Sequence, residues 1–251
     1  MKSKKLKAIL SITGYFLLII ALCVSASVVF HNLYYELIYI SGNSMYPTLK
    51  GSSVSSTSLD VEIDEDGSTA DFGIVDTHKS AINRIKRFSI VSTYYSDDYD
   101  ENGVLTGNNK QKIKRIIAMP NETFKIEDSK LYVQIDGEFE YIPYTFEIEQ
   151  PTGYIGKDVF EYTLGEDEYW VLGDHRDKSR DSGSLHEPIK KDYIIGVLVA
   201  IEGRAQLKLK EADCTNCGAK YKSGDYCQRC GKPLNKVFDL VNKQYHWPKY
   251  F

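Results

Sequence analysis

The chain has 251 residues, 42% hydrophobic and 26% charged, with 18 Gly and 7 Pro; one or two compact domains fit, and a disordered or collagen-like chain is excluded. Its formal charge is −4, yet Met1 to Lys7 carries four Lys and no acid, which leaves −8 on the remainder. An acidic body without a basic stripe excludes a nucleic-acid partner, since phosphate binding depends on clustered Lys and Arg. Tyr, Phe and Trp number 19, 10 and 2, a composition that suits pleated sheet surfaces and predicts a mainly β fold.

Ala8 to Phe30 is an uncharged run of 23 residues, beyond the roughly 20 that a helix needs to span hydrocarbon. It reads as one transmembrane helix, whereas the apolar core of a cleaved export signal is usually only about 7–15 residues. Lys2, Lys4, Lys5 and Lys7 hold the N-terminus on the cytoplasmic side by the positive-inside bias, so everything after His31 is expected to be extracytoplasmic. The best later apolar run, Tyr193 to Ile201, is a buried strand by its nine residues.

Glu36 to Ser41 is β-rich and leads into the turn Gly42-Asn-Ser-Met-Tyr-Pro47. Gly51 to Gly73 reads as a loop rich in Ser and acids, Phe88 to Tyr95 as a strand, and Ser96 to Asn109 as a second loop. Lys112 to Ala118 alternates, with Lys114, Ile116 and Ala118 on one face and Ile113, Arg115 and Ile117 on the other, and either face could be inside. Further strands are expected at Thr123 to Ile126, Lys130 to Ile135, Tyr169 to Leu172 and Ile194 to Ile201, with turns at Asp136-Gly137, Gly173-Asp174 and Gly183.

Several hydrolase signatures are absent from the sequence, among them G-x-S-x-G, S-x-x-K, H-E-x-x-H and the P-loop. Present instead are Ser41-Gly-Asn-Ser-Met-Tyr-Pro-Thr-Leu49, Lys114-Arg-Ile-Ile-Ala-Met-Pro120 and Gly173-Asp-His-Arg-Asp-Lys-Ser-Arg-Asp-Ser-Gly183, in that order behind the anchor. Together they resemble type I signal peptidases of the bacterial kind, from the anchor to about Glu202 and including the Lys130-Leu-Tyr-Val strand. The resemblance implies an antiparallel β catalytic domain with a Ser/Lys dyad, in which Ser44 falls at the nucleophile and Lys114 at the general base. A lysine can serve as that base only when burial lowers its pKa from ~10.4 towards neutrality, which requires an apolar pocket with no carboxylate on the amine. Lys112 is the alternative base if the register slips. No cofactor is expected for catalysis.

The resemblance further implies that Ser179 orients the lysine amine. Asp174, Arg176 and Asp181 correspond to the family's structural ion-pair and turn residues, with Arg115 a partner for Asp174. The backbone N–H of Ser44 is expected in the oxyanion hole. Gly42 stands where some members add a serine hydroxyl, so another group must supply any second donor, Ser41 being one candidate. His175 replaces the usual Asn; eukaryotic-like relatives use His as base, but in the second motif, which here reads Lys114-Arg115. Asn121-Glu122 and Gly183 replace the usual Gly-Asp and Arg, which removes an expected salt bridge.

Thirteen residues between Phe30 and Ser44 extend at most ~43–47 Å, so the serine is tethered near the bilayer, at the depth where secretory signals are cut after small A-x-A-like residues. The implied substrates are signal peptides of exported preproteins, bound as extended strands.

Cys214, Cys217, Cys227 and Cys230 form two C-x-x-C-G knuckles that resemble a zinc ribbon, four thiolates being able to close a tetrahedral structural zinc site. Two disulfides are the alternative outside the cell. Cys23 is a small apolar residue of the helix, and His246 a surface residue. The expected domains are an anchor over 1–31, a Ser/Lys peptidase domain over 32–210, a zinc ribbon over 211–234 and an aromatic tail over 235–251 that packs on the ribbon or touches the membrane interface. Two rival readings stand beside general signal-peptide processing: a peptidase dedicated to one or a few surface precursors, and a catalytically silent, membrane-anchored zinc-ribbon binding module.

Overall fold

The structure is a computed structural model that describes residues 2–51, 70–102, 104–105, 111–128, 130–144, 159–214, 216–221, 226–232 and 234–251. Most of the loop expected over Gly51 to Gly73, and part of that over Ser96 to Asn109, lie outside these residues. The chain divides into two compact units, one up to Glu36 and one from Leu37 to Phe251.

The first unit is the helix α1, Lys2–Tyr34, a single uninterrupted run. Its segment Ile12–His31 is long and apolar enough to cross a membrane, and Leu, Ile, Val and Phe side chains are exposed on every side of it. A helix apolar all round is suited to lipid and not to one amphipathic contact.

The second unit is mainly β. Its elements after β1 (Tyr35–Tyr39) are β2 (Ala70–Asp76), α2 (Lys79–Ile82), β3 (Ile90–Thr93), β4 (Lys112–Ala118), β5 (Thr123–Glu127), β6 (Lys130–Ile135), β7 (Glu138–Ile142), β8 (Val159–Thr163), β9 (Glu168–Leu172), α3 (Ser182–Leu185), β10 (Ile189–Lys190), β11 (Ile194–Asp213), β12 (Lys220–Tyr221) and β13 (Asn235–Tyr250). The larger sheet runs β1-β2-β11-β3-β4-β9-β10, with β12 and β13 also on β11; the smaller runs β7-β6-β5-β8. All the registered pairs are antiparallel.

The β6–β7 hairpin turns on Asp136-Gly137, both at positive φ, the two-residue turn that matches strand twist. Strand β4 is buried on both faces from Lys114 onward. Ile117 and Ala118 join Phe124, Ile126, Leu131, Val133 and Trp170 in one cluster. Ile116 joins Val91, Val171, Ile189 and Ile194 in another.

Two regions read as loop or tail are strands. β2 includes Ala70 to Gly73, and its Asp71 carboxylate accepts from the Lys50 N–H at 2.7 Å and from Arg204 Nε at 3.2 Å. Residues 235–250 are β13, paired along β11 from Asp213↔Asn235 to Ala200↔Tyr250. β11 runs through the boundary expected at 210 without a break. The cysteine segment therefore closes a long β11–β13 hairpin, and the chain end returns to the larger sheet, where the Phe251 N–H donates to the Val199 carbonyl at 3.2 Å.

Candidate active site and cysteine centre

Ser44 sits in the turn after β1, which opens with Gly42 at φ +91°. Met45 and Leu49 pin that turn by burying fully against Ile38, Val75, Ile90 and Leu198. A loop held by two core side chains can present a half-buried serine in one position.

Lys114 comes from β4, where it pairs with Val91 of β3, which pairs in turn with Val197 of β11. The residue is only 4% exposed. Its Nζ donates to Ser44 Oγ at 2.8 Å and to the Ile113 carbonyl at 2.9 Å. Burial lowers the Lys114 pKa to about 8; the nearby charge of Lys112 pushes the same way, while Asp181 and Asp174 act against it from a distance. No salt bridge is made by this amine among the described residues. A neutral amine on a serine hydroxyl is the arrangement that activates an oxygen nucleophile. Lys112 does not compete, because its ammonium is held by both oxygens of Asp98.

The segment 173–183 closes the site from the opposite side. The His175 N–H donates to the Ser44 carbonyl at 3.0 Å. A Cβ on Gly173 would lie 2.4 Å from that carbonyl and 2.2 Å from Ser179 Oγ, so only glycine admits this approach. Arg115 forks onto Asp174, with Nε at 2.9 Å and Nη2 at 2.5 Å, and donates through Nη1 to the Phe88 carbonyl at 3.0 Å. Arg176 Nε donates to the Gly173 carbonyl at 3.0 Å, and its guanidinium lies 5.4 Å from the centre of the Tyr144 ring. Asp181 accepts the N–H groups of Gly173 at 2.8 Å, Gly183 at 3.0 Å and Ser184 at 3.3 Å. Backbone donors thus hold this carboxylate where the resemblance leads one to expect an arginine at 183. Glu122, the other departure, pairs with Arg87 and caps the Met119 N–H.

Two of the expected helpers make no hydrogen bond to the Ser44–Lys114 pair among the described residues. Ser179 makes no hydrogen bond to the Lys114 amine: its Oγ is buried without a partner, because the turn packs it against Gly173, while the amine is held by Ser44 and Ile113. Ser41 is exposed, with no hydrogen bond to Ser44 among the described residues. The Ser44 N–H has no acceptor among them. His175 turns Nδ1 to the Asn43 carbonyl at 3.2 Å and not to the serine hydroxyl. One residue escaped the sequence reading: Thr48 Oγ1 donates to Asp174 at 2.6 Å and accepts from Arg115 at 3.2 Å, bracing the ion pair to the serine turn.

At the hairpin end, two equivalent turns carry the cysteines. The Gly218 N–H donates to the Cys214 carbonyl at 2.7 Å and the Gly231 N–H to the Cys227 carbonyl at 2.8 Å, both glycines at positive φ. The four Sγ atoms lie within 4.8 Å of one another, with Cys214 to Cys230 at 3.3 Å and Cys217 to Cys227 at 3.5 Å. Four thiolates around zinc at ~2.3 Å have sulfur–sulfur edges of about 3.8 Å, inside that spread. The donor set fits a tetrahedral metal. His246 lies apart, exposed on β13.

Among known proteins, Signal peptidase I of Bacillus amyloliquefaciens is 33% identical over 81 residues, which cover 32% of this chain and 44% of that protein. Signal peptidase I P of Bacillus subtilis subsp. natto is 25% identical over 137 residues, 52% of this chain and 70% of that one. A crystal structure of a signal peptidase I from Enterococcus faecalis superposes with a TM-score of 0.35 at 23% identity, covering 46% of this chain and 97% of the other. The alignment thus spans under half the length of the first of these relatives. The family model for signal peptidase, peptidase S26, matches residues 12–201, a span that contains Ser44, Lys114 and the 173–183 turn and stops within β11, before the four clustered cysteines. The chain belongs to the signal peptidase family, peptidase S26.

Proposed function

We propose that the protein is a membrane-anchored serine endopeptidase that removes signal peptides from exported preproteins after small A-x-A-like residues. The observation that carries this reading is the 2.8 Å contact between Ser44 Oγ and the buried amine of Lys114 in a chain of this family. With the amine neutral, the contact runs in reverse, and the Ser44 hydroxyl donates to Nζ. Ser44 Oγ attacks the scissile carbonyl as Lys114 takes its proton; the Lys114 ammonium then protonates the departing amine, and water hydrolyses the acyl-enzyme. The Ile113 carbonyl keeps the amine aimed throughout. The Ser44 N–H is the donor for the oxyanion. Asp174, Arg115, Arg176 and Asp181 hold the turns that carry the reacting groups. The helix α1 serves as the anchor, with its N-terminal lysines cytoplasmic and the β unit across the bilayer.

Cleavage of a preprotein with an A-x-A site by detergent-solubilised protein tests this reading. The parent cuts after the site, while folded Ser44→Ala and Lys114→Ala variants do not. Cleavage by either variant would overturn the dyad.

The second part of the proposal is structural zinc on Cys214, Cys217, Cys227 and Cys230, which would fasten the end of the β11–β13 hairpin. One zinc per chain by elemental analysis, lost in Cys217→Ser, is the expected result; two disulfides by mass spectrometry would replace it.

A further inference from the structure

Outside the span matched by the family, β13 carries a group of aromatic side chains that no core absorbs. Trp247 is 95% exposed and Tyr250 75%, with Tyr245 at 65% and Phe251 at 48%. An exposed tryptophan on a strand wants an explanation, since a large ring gains by burial and an exposed apolar patch usually marks a contact.

The register shows how the group is displayed. Tyr245 pairs with Gly203 and Lys249 with Ile201, so His246, Trp247 and Pro248 stand opposite Glu202 alone. Three residues against one make a bulge, and Pro248 supplies no N–H to close it. On the inner side the strand is fixed. The Tyr245 ring meets the edge of Phe72 at 5.3 Å across Gly203, where a Cβ would lie 2.0 Å from the Gln244 carbonyl and 3.0 Å from the Phe72 ring. The aromatic group is therefore mounted on a ladder and does not dangle from a free end.

Its charge is distinct too. Leu240 to Phe251 holds Lys243, Lys249 and His246 and no acid, while the rest of the chain is at −6. Lys243 and Lys249 are exposed, and Lys249 Nζ lies 5.4 Å from the centre of the Phe251 ring. Tryptophan and tyrosine with lysine beside them is the composition of surfaces at lipid headgroups, where rings sit at the boundary and cations meet anionic phosphates. A bilayer is always within reach of this unit, because α1 is continuous with it in the chain.

We propose that the end of β13, with Trp247 in its bulge and Lys243, Lys249, Tyr250 and the adjoining Phe251 exposed along it, docks on the anionic headgroup surface of the membrane. The docking makes a second, non-spanning attachment of the β unit to lipid.

The chain has two tryptophans, and Trp170 is fully buried, so the difference in emission between the parent and Trp247→Phe isolates Trp247. The full chain would be reconstituted in phosphatidylcholine vesicles with and without phosphatidylglycerol, with brominated acyl chains as the quencher in lipid and iodide as the quencher in water. The expected result is a Trp247 signal quenched by brominated lipid and shielded from iodide, the quenching being weaker in Lys243→Glu/Lys249→Glu when phosphatidylglycerol is present. A Trp247 signal quenched by iodide and not by brominated lipid would overturn the proposal. So would one shielded from both, the result for a ring covered by protein or by a second copy. Equal quenching in the parent and the charge-reversed chain would overturn the role of the lysines. The readout needs no catalysis, so its failure is distinct from failure of the peptidase reading.

Discussion

The two faces of β4 solve one problem in opposite ways. Lys114 and Arg115 are consecutive and equally buried, at 4% and 5% exposure. Arg115 meets a carboxylate through two parallel bonds that answer its charge directly. Lys114 meets a hydroxyl and a carbonyl, and burial drives its pKa down to about 8. Of two adjacent basic side chains, the one given a counter-charge is locked in an ion pair, and the one denied it is pushed towards its neutral form.

The sharpest way to break this contrast is to make both residues apolar. Lys114→Met should lower kcat/KM by at least ~10²–10⁴-fold, the usual contribution of a general base. The same variant should fold more stably by on the order of 1–3 kcal/mol at neutral pH, since it removes an amine that the native state holds at a cost. Arg115→Met should do the reverse in denaturant titration, losing about 3–5 kcal/mol because it strands Asp174 without its partner. A loss of stability in Lys114→Met of the same size would erase the distinction.

The next effect is in pH. Lys114 must be neutral to act, so kcat/KM should rise with pH through a limb near 8 and fall about tenfold per unit below it. The folding contribution follows the same sign. Between about 8 and the ordinary lysine value the unfolded chain holds a proton that the native state has released, so stability rises with pH across that window. Lys114→Met should flatten that rise, as measured by chemical unfolding at several pH values. The smallest effect is Thr48→Val, which removes the brace between the serine turn and the ion pair. About 1 kcal/mol of stability should be lost, with a modest drop in kcat, measured by thermal unfolding and initial rates.

The sequence made much of this site legible, and its failures have physical causes. β4, β5, β6 and β9 were readable because apolar residues recur at the spacing that burial demands. The Arg115–Asp174 pair could be anticipated from the resemblance. Thr48 could not, since its partner lies 126 residues away and a threonine after proline looks like an ordinary turn residue. β2 was hidden by its own acids, as Asp71 is acceptable inside only because Arg204 and the Lys50 N–H meet it. β13 was hidden because its ladder lies wholly on β11, and charged and aromatic residues along it mask any alternation. The orienting bond from Ser179 came from the resemblance alone; its hydroxyl lies buried beside Gly173 without a partner.

In the large sheet, β11 lies between β2 and β3, although it follows both in the chain by more than a hundred residues. Leu198 of β11 also packs in the cluster that pins Met45 and Leu49 beneath the serine. As the polypeptide emerges from its N-terminus, the turn that carries Ser44 and the strand that carries Lys114 have no completed sheet to join until residues near 200 have been made. Assembly is non-local and correspondingly slow. A nascent chain thus gains the sheet that sets Ser44 beside Lys114 only when the closing strand has been made.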